Sequence, residues 1–512
     1  MIPSVLLWLC LLGLGLLLAS ALVLRSYARF AKRARGTPSH ALPRVGPATP
    51  LDRLLDAACA AHPGLQGLAN LLDPKDAFAA RALSAVEAGR SLDLIYYIWK
   101  TDTSGWLLMA DLLRAADRGV RVRLLLDDVN VQGFDLAFLG LNQHPNIEVR
   151  LFNPLRNRGH WIRRATEFVM GLSRFNRRMH GKVWIADGCL AILGGRNIGD
   201  TYFGAPGSGA RLSHDADMLL VGPKVAEAEA VFDTFWNLGL SLPILTLWPR
   251  FRLNDRRFRR RLGRHAASPL AANFHAQAIA GRTPADVLTS RLKWTEDVTL
   301  LSDPPDKALG RRRGPWLLDS IADLLRGARQ QVRLTTPYFV PGTPGLGLLT
   351  DLAQRGVRVE VLTNSLAATD LFSVHAAYSH YRRPLLHSGA RLFEFAPPPR
   401  APGRRDLLHS KIFLIDGMTA LVGSHNFDMR SAYINIELGL LFHEPTLVAE
   451  LSELFDRQTA PSLAFSVTLE DGQLHWEMDK DTRPGRQRYE PEASMTRRAI
   501  SWIIRRVPHD WF

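Results

Sequence analysis

The sequence predicts an α/β fold with two similar domains, each a mixed β-sheet flanked by helices, which are related by a pseudo-twofold axis and follow an N-terminal transmembrane helix. Three observations predict this fold. A string of polar residues and glycines occurs twice with the same spacing. Apolar, β-branched runs alternate with helical patterns around both copies, as in α/β proteins. The first 24 residues contain no charged side chain.

The N-terminal apolar stretch predicts a membrane anchor. As a helix, residues 1–24 would be ~36 Å long, which exceeds the ~30 Å hydrocarbon core of a bilayer. The alternative is a cleaved signal peptide, with Ala19-Ser20-Ala21 as the cleavage site. Signal peptides carry basic residues before the apolar core, and here none precedes it. Basic residues follow it instead, which predicts a cytoplasmic body; they are Arg25, Arg29, Lys32, Arg33 and Arg35.

Composition limits the classes of partner. The chain of 512 residues is 46% hydrophobic, so it can build a large core. Its net charge of +15 implies an acidic partner: anionic lipid headgroups, a phosphorylated substrate or nucleic acid. The 3 cysteines have neither disulfide nor zinc-site spacing, so we expect no structural metal.

The repeat and the composition divide the chain into predicted segments. These are the transmembrane anchor (1–25), a linker with N-terminal helices (26–90), the first domain (91–245), a basic inter-domain segment (246–300), the second domain (301–470) and a C-terminal tail with a basic amphipathic helix (471–512).

Both domains repeat a strand–helix–strand pattern. A glycine after each helix leads into an apolar run, as expected for a helix C-cap followed by a strand. The predicted elements are strands 91–99 and 120–126 around a helix at 106–118, and strands 332–338 and 357–362 around a helix at 345–355.

Two segments that combine arginine with aromatic residues each have two interpretations. Residues 249–265 contain Phe251 and Phe258 among arginines such as Arg250 and Arg252, and form either a solvated linker or a surface that contacts anionic headgroups. Residues 497–512 have an apolar helical face that includes Val507, with Trp511 nearby, and form either a docked helix or a membrane contact.

The repeated string contains the residues that phosphodiester chemistry needs. Residues two apart on a strand point to the same side, so the histidine and lysine of each copy face one site, to which the asparagine after the glycine turn can return. The first copy is His180, Lys182, Asp187, Gly194, Gly195 and Asn197, and the second is His409, Lys411, Asp416, Gly423, Ser424 and Asn426.

Bringing the two copies together would place two imidazoles, two ammonium groups and two amides around one phosphate. One neutral imidazole attacks phosphorus and becomes covalently bound, and the opposite imidazolium protonates the leaving alkoxide. The lysines and asparagines stabilise the charge that develops on the equatorial oxygens. This chemistry requires neither a metal nor a cofactor.

Each histidine also needs a carboxylate on its second ring nitrogen. Asp215 and Glu437 are the candidates, because each lies eight residues before a proline and begins an apolar strand. Asp217 competes with Asp215 but does not match that spacing. Asp187 and Asp416 point away from the histidine side and precede glycine, so we expect them to hold the strand ends.

The two strings match the signature H-x-K-x4-D, and the chain resembles the phospholipase D superfamily over most of residues 90–470. Residues 176–182 and 423–431 are similar to bacterial cardiolipin synthases, and Tyr489-Glu490-Pro491 with the tail after it is similar to their C-type members. Gly181 departs from the family, in which asparagine is commoner.

The resemblance implies two phospholipase D-type domains, a phosphatidyl-enzyme intermediate on histidine and transfer of phosphatidyl to the headgroup alcohol of a second lipid. By family analogy His180 is the nucleophile and His409 is the acid. The implied location is the cell inner membrane, crossed by a single helix.

Three functions are compatible with the sequence. The leading hypothesis is a membrane-bound phosphatidyltransferase that forms cardiolipin from phosphatidylglycerol and a second phospholipid, either phosphatidylglycerol or phosphatidylethanolamine. The alternative is a phosphodiesterase of the same fold, either a lipase that releases phosphatidic acid or a nuclease; nucleic acid is disfavoured because it does not explain a membrane-spanning helix. A non-catalytic basic membrane scaffold is the third, and two intact motifs argue against it.

Overall fold

The computed structural model describes residues 2–206, 211–249, 251, 254–311, 315–400, 404–478 and 486–506. The elements of the first half are α1 (Ile2–Arg33), α2 (Pro50–Ala60), β1 (Gln66–Leu71), α3 (Pro74–Glu87), β2 (Ser91–Tyr96), α4 (Thr103–Asp117), β3 (Arg121–Asp127), α5 (Asp135–Leu141), β4 (Ile147–Phe152), α6 (Trp161–Met170), α7 (Leu172–Phe175), β5 (Val183–Ala186), β6 (Leu190–Gly194), α8 (Asp200–Phe203), β7 (Ser213–His214), β8 (Asp217–Val221), α9 (Val225–Trp236), β9 (Ser241–Pro243), α10 (Ile244–Leu247), α11 (Asp255–Ala266), α12 (Pro269–Ile279), α13 (Pro284–Leu288) and β10 (Lys293–Thr295).

The elements of the second half are β11 (Val298–Ser302), α14 (Pro305–Ala308), α15 (Leu317–Arg326), β12 (Gln331–Thr335), β13 (Phe339–Val340), α16 (Gly342–Gln354), β14 (Arg358–Asn364), α17 (Phe372–Tyr378), α18 (Arg382–His387), β15 (Arg391–Phe395), β16 (Leu407–Leu408), β17 (Ile412–Ile415), β18 (Thr419–Gly423), β19 (Phe427–Asp428), α19 (Met429–Tyr433), β20 (Leu438–Phe442), α20 (Pro445–Thr459), β21 (Ala464–Glu470), β22 (Gln473–Glu477) and α21 (Met495–Ile504).

Each half contains a nine-stranded mixed sheet with the same central order. The first sheet runs β10-β1-β8-β6-β5-β2-β3-β4-β9 and the second β11-β20-β18-β17-β12-β14-β15-β21-β22. In both sheets one group of central strands pairs in parallel (β2-β3-β4 and β12-β14-β15) and the adjacent group pairs antiparallel. The predicted α/β fold with duplicated domains is confirmed.

The two sheets pack against each other through their central antiparallel strands. One apolar cluster contains Val183 and Leu193 from the first sheet and Ile412, Val422 and Leu440 from the second. Helices α9 and α20 add buried side chains to the same cluster. Because the motif histidines lie next to these strands, the packing brings the two motifs to one place.

Two predicted strands are shorter than expected. The first ends at Tyr96 rather than at residue 99, and the second ends at Thr335 rather than at residue 338. Beyond Tyr96 the N–H of Ile98 donates to Asn197 Oδ1 at 3.1 Å, and beyond Thr335 the hydroxyl of Thr336 accepts from a motif-loop N–H. The apolar runs continue, but these residues bond to the motif loops instead of to a neighbouring strand.

Helix α1 contains a stretch, beginning at Leu7, that is long and apolar enough to cross a membrane. Its C-terminal part packs on the first half, where Tyr27 and Ala31 join Leu155 and Phe175 in a buried cluster. The apolar stretch therefore continues into a helical segment that is packed on the first half.

Where it is described, the basic segment between the halves is a folded helix and not a solvated linker, and contact of its exposed arginines with anionic headgroups stays a prediction. Residues 255–266 form α11, which packs on α4 with Phe258 only 4% exposed. Arg259 pairs with Asp117 at 2.9 Å and with Asp255 at 3.0 Å, so part of the positive charge is used within the fold. Arg250 and Arg252 lie outside the described residues.

The C-terminal helix α21 docks on α17. Arg497 donates to the carbonyls of Leu366 and Ala367, while Trp502 and Ile503 remain about 60% exposed (59% and 60%). The docked-helix interpretation therefore holds for residues 495–504. Val507 and Trp511 lie outside the described residues.

Candidate active site

The backbone of each motif histidine is bonded to the opposite half. Met179 forms a parallel bridge with Ile436, and the N–H of His180 donates to the Ile436 carbonyl at 2.9 Å. In the same way β16 pairs in parallel with β7, and the N–H of His409 donates to the His214 carbonyl at 2.7 Å. The accepting residues, Ile436 and His214, immediately precede Glu437 and Asp215 in the chain. The two carboxylates therefore lie beside the histidine rings.

The two carboxylates cross between the halves. Glu437 Oε2 lies 2.8 Å from Nδ1 of His180, and Asp215 Oδ2 lies 2.5 Å from Nδ1 of His409. Both carboxylate side chains are fully buried, whereas the two histidine side chains stay 8% and 13% exposed. Because a carboxylate only accepts hydrogen bonds, Nδ1 of each ring carries a proton, and Nε2 of a neutral ring carries the lone pair.

Asp217, the alternative to Asp215, belongs to a buried arginine network. Its Oδ2 accepts from Arg81 Nη2 at 2.8 Å and from Arg196 Nε at 3.2 Å. Arg196 also donates to the carbonyl of Asp215 at 2.7 Å. Asp217 therefore neutralises two arginines behind the site, and this network supports the backbone that carries Asp215.

The motif lysines lie beside the histidine rings. Lys182 Nζ donates to the carbonyl of His180 and lies 5.3 Å from the centre of the Tyr97 ring. Lys411 Nζ donates to the carbonyl of His409 and lies 3.1 Å from Nδ1 of that residue. Both ammonium groups are buried and can face an anion placed between the two rings.

Two tyrosines contact the histidine rings edge to face. The ring centres of Tyr97 and His180 are 4.8 Å apart, and those of Tyr202 and His409 are 5.2 Å apart. Nδ2 of Asn197 donates to the Tyr202 hydroxyl at 3.1 Å. This motif asparagine therefore also fixes the tyrosine beside the opposite histidine.

The turns after β6 and β18 support the carboxylates differently. Ser424 Oγ donates to Glu437 Oε2 at 2.5 Å. At Gly195, the matching position of the first half, a Cβ atom would lie 2.3 Å from Asp215 Oδ1. A longer carboxylate is thus held by a serine, and a shorter one fits over a glycine. Asn426 follows the serine turn and is 4% exposed.

Burial dominates the ionisation of the site. Burial lowers the pKa of His180 to about 4, although Glu437 opposes this shift. Burial alone would raise the pKa of Glu437, but His180 and nearby cations lower it to about 2. Burial and the neighbouring Lys411 lower the pKa of Lys182 to about 7. Burial and Lys411 also lower the pKa of His409. Without a bound anion the site therefore holds neutral imidazoles and an ionised glutamate at neutral pH.

The motif aspartates lie away from the histidines, at the ends of β5 and β17. Asp187 and Asp416 have φ angles of 51° and 53°, in the left-handed region that tight turns use. Their carboxylates accept backbone N–H groups at the starts of β2 and β12. The donors are Gly89, Arg90 and Ser91 in the first half, and Arg329, Gln330 and Gln331 in the second.

Comparison with known proteins gives the family. A family profile described as "Cardiolipin synthase, PLD-like domain" matches residues 85–236 and 321–459. Cardiolipin synthase C of Escherichia coli (strain K12) is 36% identical, over 88% of this chain and 97% of that protein. This chain belongs to the cardiolipin synthase family.

Another relative and a solved structure are also similar to this chain. Cardiolipin synthase A of Yersinia pseudotuberculosis is 26% identical over 81% of this chain and 74% of that protein. Phosphatidylserine synthase of Haemophilus influenzae has a solved structure that matches the fold with a TM-score of 0.53 and 15% identity, covering 79% of this chain and 91% of that chain. At this identity the structural match supports the fold alone. Membership of the cardiolipin synthase family identifies the protein as an enzyme of the phospholipase D superfamily.

In this cardiolipin synthase family member, sequence reasoning named the polar residues but missed the two tyrosines. Tyr97 and Tyr202 lie outside the repeated string, so spacing did not identify them. A weak signal existed for Tyr97, because it follows directly on the strand that pairs with the motif strand. For Tyr202 the only signal was its position five residues after Asn197.

Proposed function

We propose that this protein is a membrane-anchored phosphatidyltransferase that forms cardiolipin from phosphatidylglycerol and a second phospholipid. The observation that carries the proposal is the crossed pairing of His180 with Glu437 and of His409 with Asp215. Two oriented imidazoles with lysines beside them can attack and protonate on opposite sides of one phosphorus atom. The family to which the chain belongs supports a phospholipid as the substrate.

In the first step, Nε2 of His180 attacks the phosphorus of the donor lipid. An N–P bond forms while the P–O bond to the headgroup breaks, and the imidazolium of His409 gives its proton to the departing alkoxide. Lys182 and Lys411 stabilise the charge that develops on the equatorial oxygens. The phosphate anion also favours the protonated form of His409, which burial disfavours in the free protein.

In the second step, the neutral His409 accepts a proton from a glycerol hydroxyl of phosphatidylglycerol. That oxygen attacks phosphorus, the N–P bond breaks, and cardiolipin leaves. Cardiolipin contains two phosphatidyl groups on one glycerol, so phosphatidylglycerol must be the acceptor. The donor is either a second phosphatidylglycerol, which releases glycerol, or phosphatidylethanolamine, which releases ethanolamine.

The released headgroup identifies the reaction. Purified full-length protein is given phosphatidylglycerol labelled in its headgroup glycerol, with and without phosphatidylethanolamine labelled in its ethanolamine. Labelled cardiolipin with free glycerol or with free ethanolamine supports the proposal and names the donor. If phosphatidic acid is the main product, water is the acceptor, and the protein is a lipase and not a transferase. Absence of any product from an intact protein contradicts an enzymatic role on these lipids.

Substitution of either motif histidine tests the two-histidine mechanism. His180→Ala and His409→Ala should each lower turnover by at least about a thousandfold, because covalent and acid catalysis act as one unit. Cardiolipin formation and trapping of the phosphohistidine measure the two effects. His443→Ala, a change at a motif-independent histidine, is the matched control. Near-normal cardiolipin formation by either motif variant contradicts the mechanism, and a phosphohistidine mapped to His409 reverses the two roles.

We further propose that the protein lies in the bacterial inner membrane with its body in the cytoplasm. The apolar part of α1 is followed by arginines and a lysine between residues 25 and 35, and cytoplasmic flanks are enriched in such residues. Protease added to sealed, inside-out vesicles should digest the body, and the same protease outside intact spheroplasts should not. The reverse pattern would place the body on the outer face.

A further inference from the structure

Helix α6 carries an apolar stripe that faces away from the protein. Trp161, Ile162 and Val169 are 71%, 57% and 62% exposed, and Leu172, directly after the helix, is 48% exposed. At about 100° per residue Trp161, Ile162 and Val169 fall within an arc of about 100° on the helical wheel of α6, together with Ala165. The part of α6 that solvent would contact is therefore its most hydrophobic face.

The one side chain of α6 that is buried is polar and lies on the opposite side of the helix. Glu167 is 3% exposed, and its Oε2 accepts from the N–H and the Nδ2 of Asn157 at 3.0 and 2.7 Å. A helix on a water-exposed surface has the reverse arrangement, with its charges outward and its apolar stripe inward. The exposed stripe of α6 is thus suited to an apolar occupant.

Helix α1 fixes the position of α6 relative to the membrane anchor. Ser20 Oγ donates to the carbonyl of Met170, the last residue of α6. The apolar stretch of α1 ends at Leu24, four residues later, and one helical residue rises ~1.5 Å, so the contact lies ~6 Å inside the apolar boundary. Tyr27 then packs edge to face on Phe175 with ring centres 5.0 Å apart, which holds the two segments together.

We propose that α6 lies in the headgroup–acyl boundary of the bilayer that α1 crosses, with its apolar stripe among the acyl chains. Interfacial helices lie about 5–10 Å deep, which agrees with the contact near Ser20. Trp161 is a residue type that concentrates at this depth. Arg164 lies next to the stripe, about 60° from Trp161 on the helical wheel, and can bind anionic headgroups. The lipid surface, not a protein partner, is the occupant because α6 contacts the apolar stretch of α1 through Met170 and Ser20.

This position connects the bilayer to the catalytic segment. The chain runs from α6 through α7 to Asn176, whose side chain and carbonyl both accept from Arg430 at 2.7 Å. Three residues later the N–H of Met179 donates to Asp127 Oδ2 at 3.0 Å, and His180 follows. Helix α6 therefore holds the start of the first motif close to the membrane surface, where a lipid phosphate must be presented. In this respect the inference rests on the proposed function.

Fluorescent labels on the full-length protein in liposomes test the surface. Cys10 and Cys59 are replaced by alanine, Cys189 is buried, and single cysteines are introduced as Trp161→Cys, Val169→Cys or Leu172→Cys. The control is Leu270→Cys, an apolar position on α12 that is 47% exposed and distant in the chain from α6. Each label is exposed to aqueous iodide and, separately, to lipids brominated on their acyl chains.

The expected result is that α6 labels are quenched by brominated lipid and protected from iodide, and that the Leu270→Cys label shows the opposite. Equal iodide quenching at all positions overturns the inference. Protection from both quenchers also overturns it, because it means that another protein surface or a second copy covers the stripe.

Activity distinguishes this inference from the proposed function. The double variant Trp161→Glu/Val169→Glu should reduce product formation from bilayer lipid by about tenfold or more and leave the rate on detergent-dispersed lipid unchanged, because a charge in the stripe opposes its burial. Leu270→Glu should affect neither rate. Labels that report lipid contact in a protein without transferase activity leave the surface intact and reject the function. Labels that report water in an active transferase reject the membrane-contacting surface and leave the proposed function intact.

Discussion

At the scale of single residues, each histidine depends on a carboxylate from the other half. Glu437→Gln and Asp215→Asn should each lower turnover by about a hundredfold or more. The amide NH2 group can donate to Nδ1 of the histidine, which favours the unreactive tautomer that carries its proton on Nε2. Both variants should keep the wild-type melting temperature within a few degrees. Glu227→Gln, an exposed carboxylate on α9, is the matched control and should behave as wild type. Unchanged turnover in either variant contradicts the crossed orientation of the rings.

The ionisation of the same residues predicts the pH dependence of kcat/KM, which reports the free enzyme. The nucleophile must be neutral, and the pKa of His180 is about 4, so activity should appear as the pH rises through about 4. Lys182 must be charged, and its pKa is about 7, so activity should fall again as the pH rises through about 7. The lowered pKa of His409 acts in the same direction, because the acid must carry its proton. A profile that still rises above pH 8 contradicts these shifts.

At the scale of elements, a buried ion pair between Arg382 and Glu490 connects the C-terminal segment to the second half. Arg382 is 1% exposed and lies 2.7 Å from both Glu394 and Glu490. Burial alone would raise the pKa of Glu490, but Arg382 and its other neighbours lower it to about 2. Removal of the charge at residue 490 leaves a buried arginine with one carboxylate, so the segment that contains α21 should detach more readily.

Glu490→Gln should lower stability by roughly 3 kcal/mol and expose residues 486–506 to protease. Because the folded pKa lies below the unfolded value of about 4.3, the wild-type contribution is complete above that pH and is lost as the pH falls towards 2. The variant should lack this pH dependence. Glu453→Gln, at an exposed pair on α20, should leave protease resistance unchanged. Equal protease resistance of the two variants contradicts a stabilising role of the ion pair between Arg382 and Glu490.

At the scale of the whole molecule, we predict that helix α1 also stabilises the rest of the chain. A chain that begins at Arg25 keeps Tyr27 and Ala31 in the buried cluster with Phe175, whereas a chain that begins at Gly36 exposes that cluster. The shorter chain should melt on the order of 5 °C lower. Since Phe175 lies five residues before His180, the shorter chain should also be less active on detergent-dispersed lipid. Equal melting temperatures would assign α1 to anchoring alone.

The sequence by itself determined the duplicated fold, the family and the identity of the polar residues around the site, because these depend on local periodicity and on a repeated spacing that one chain displays. The boundary errors arose where residues after β2 and β12 bond to the motif loops, which periodicity does not indicate. Tyr97 and Tyr202 were missed because they stand outside the repeat.

Only the tertiary structure decided which carboxylate serves which histidine, because the parallel bridges that place Glu437 on His180 and Asp215 on His409 join residues that are distant in the chain. It also decided that Phe258 is packed inside and that the apolar stripe of α6 faces outward. The hydrophobic pattern of a helix defines which face is apolar, but the neighbours that the fold supplies decide whether that face meets protein or membrane.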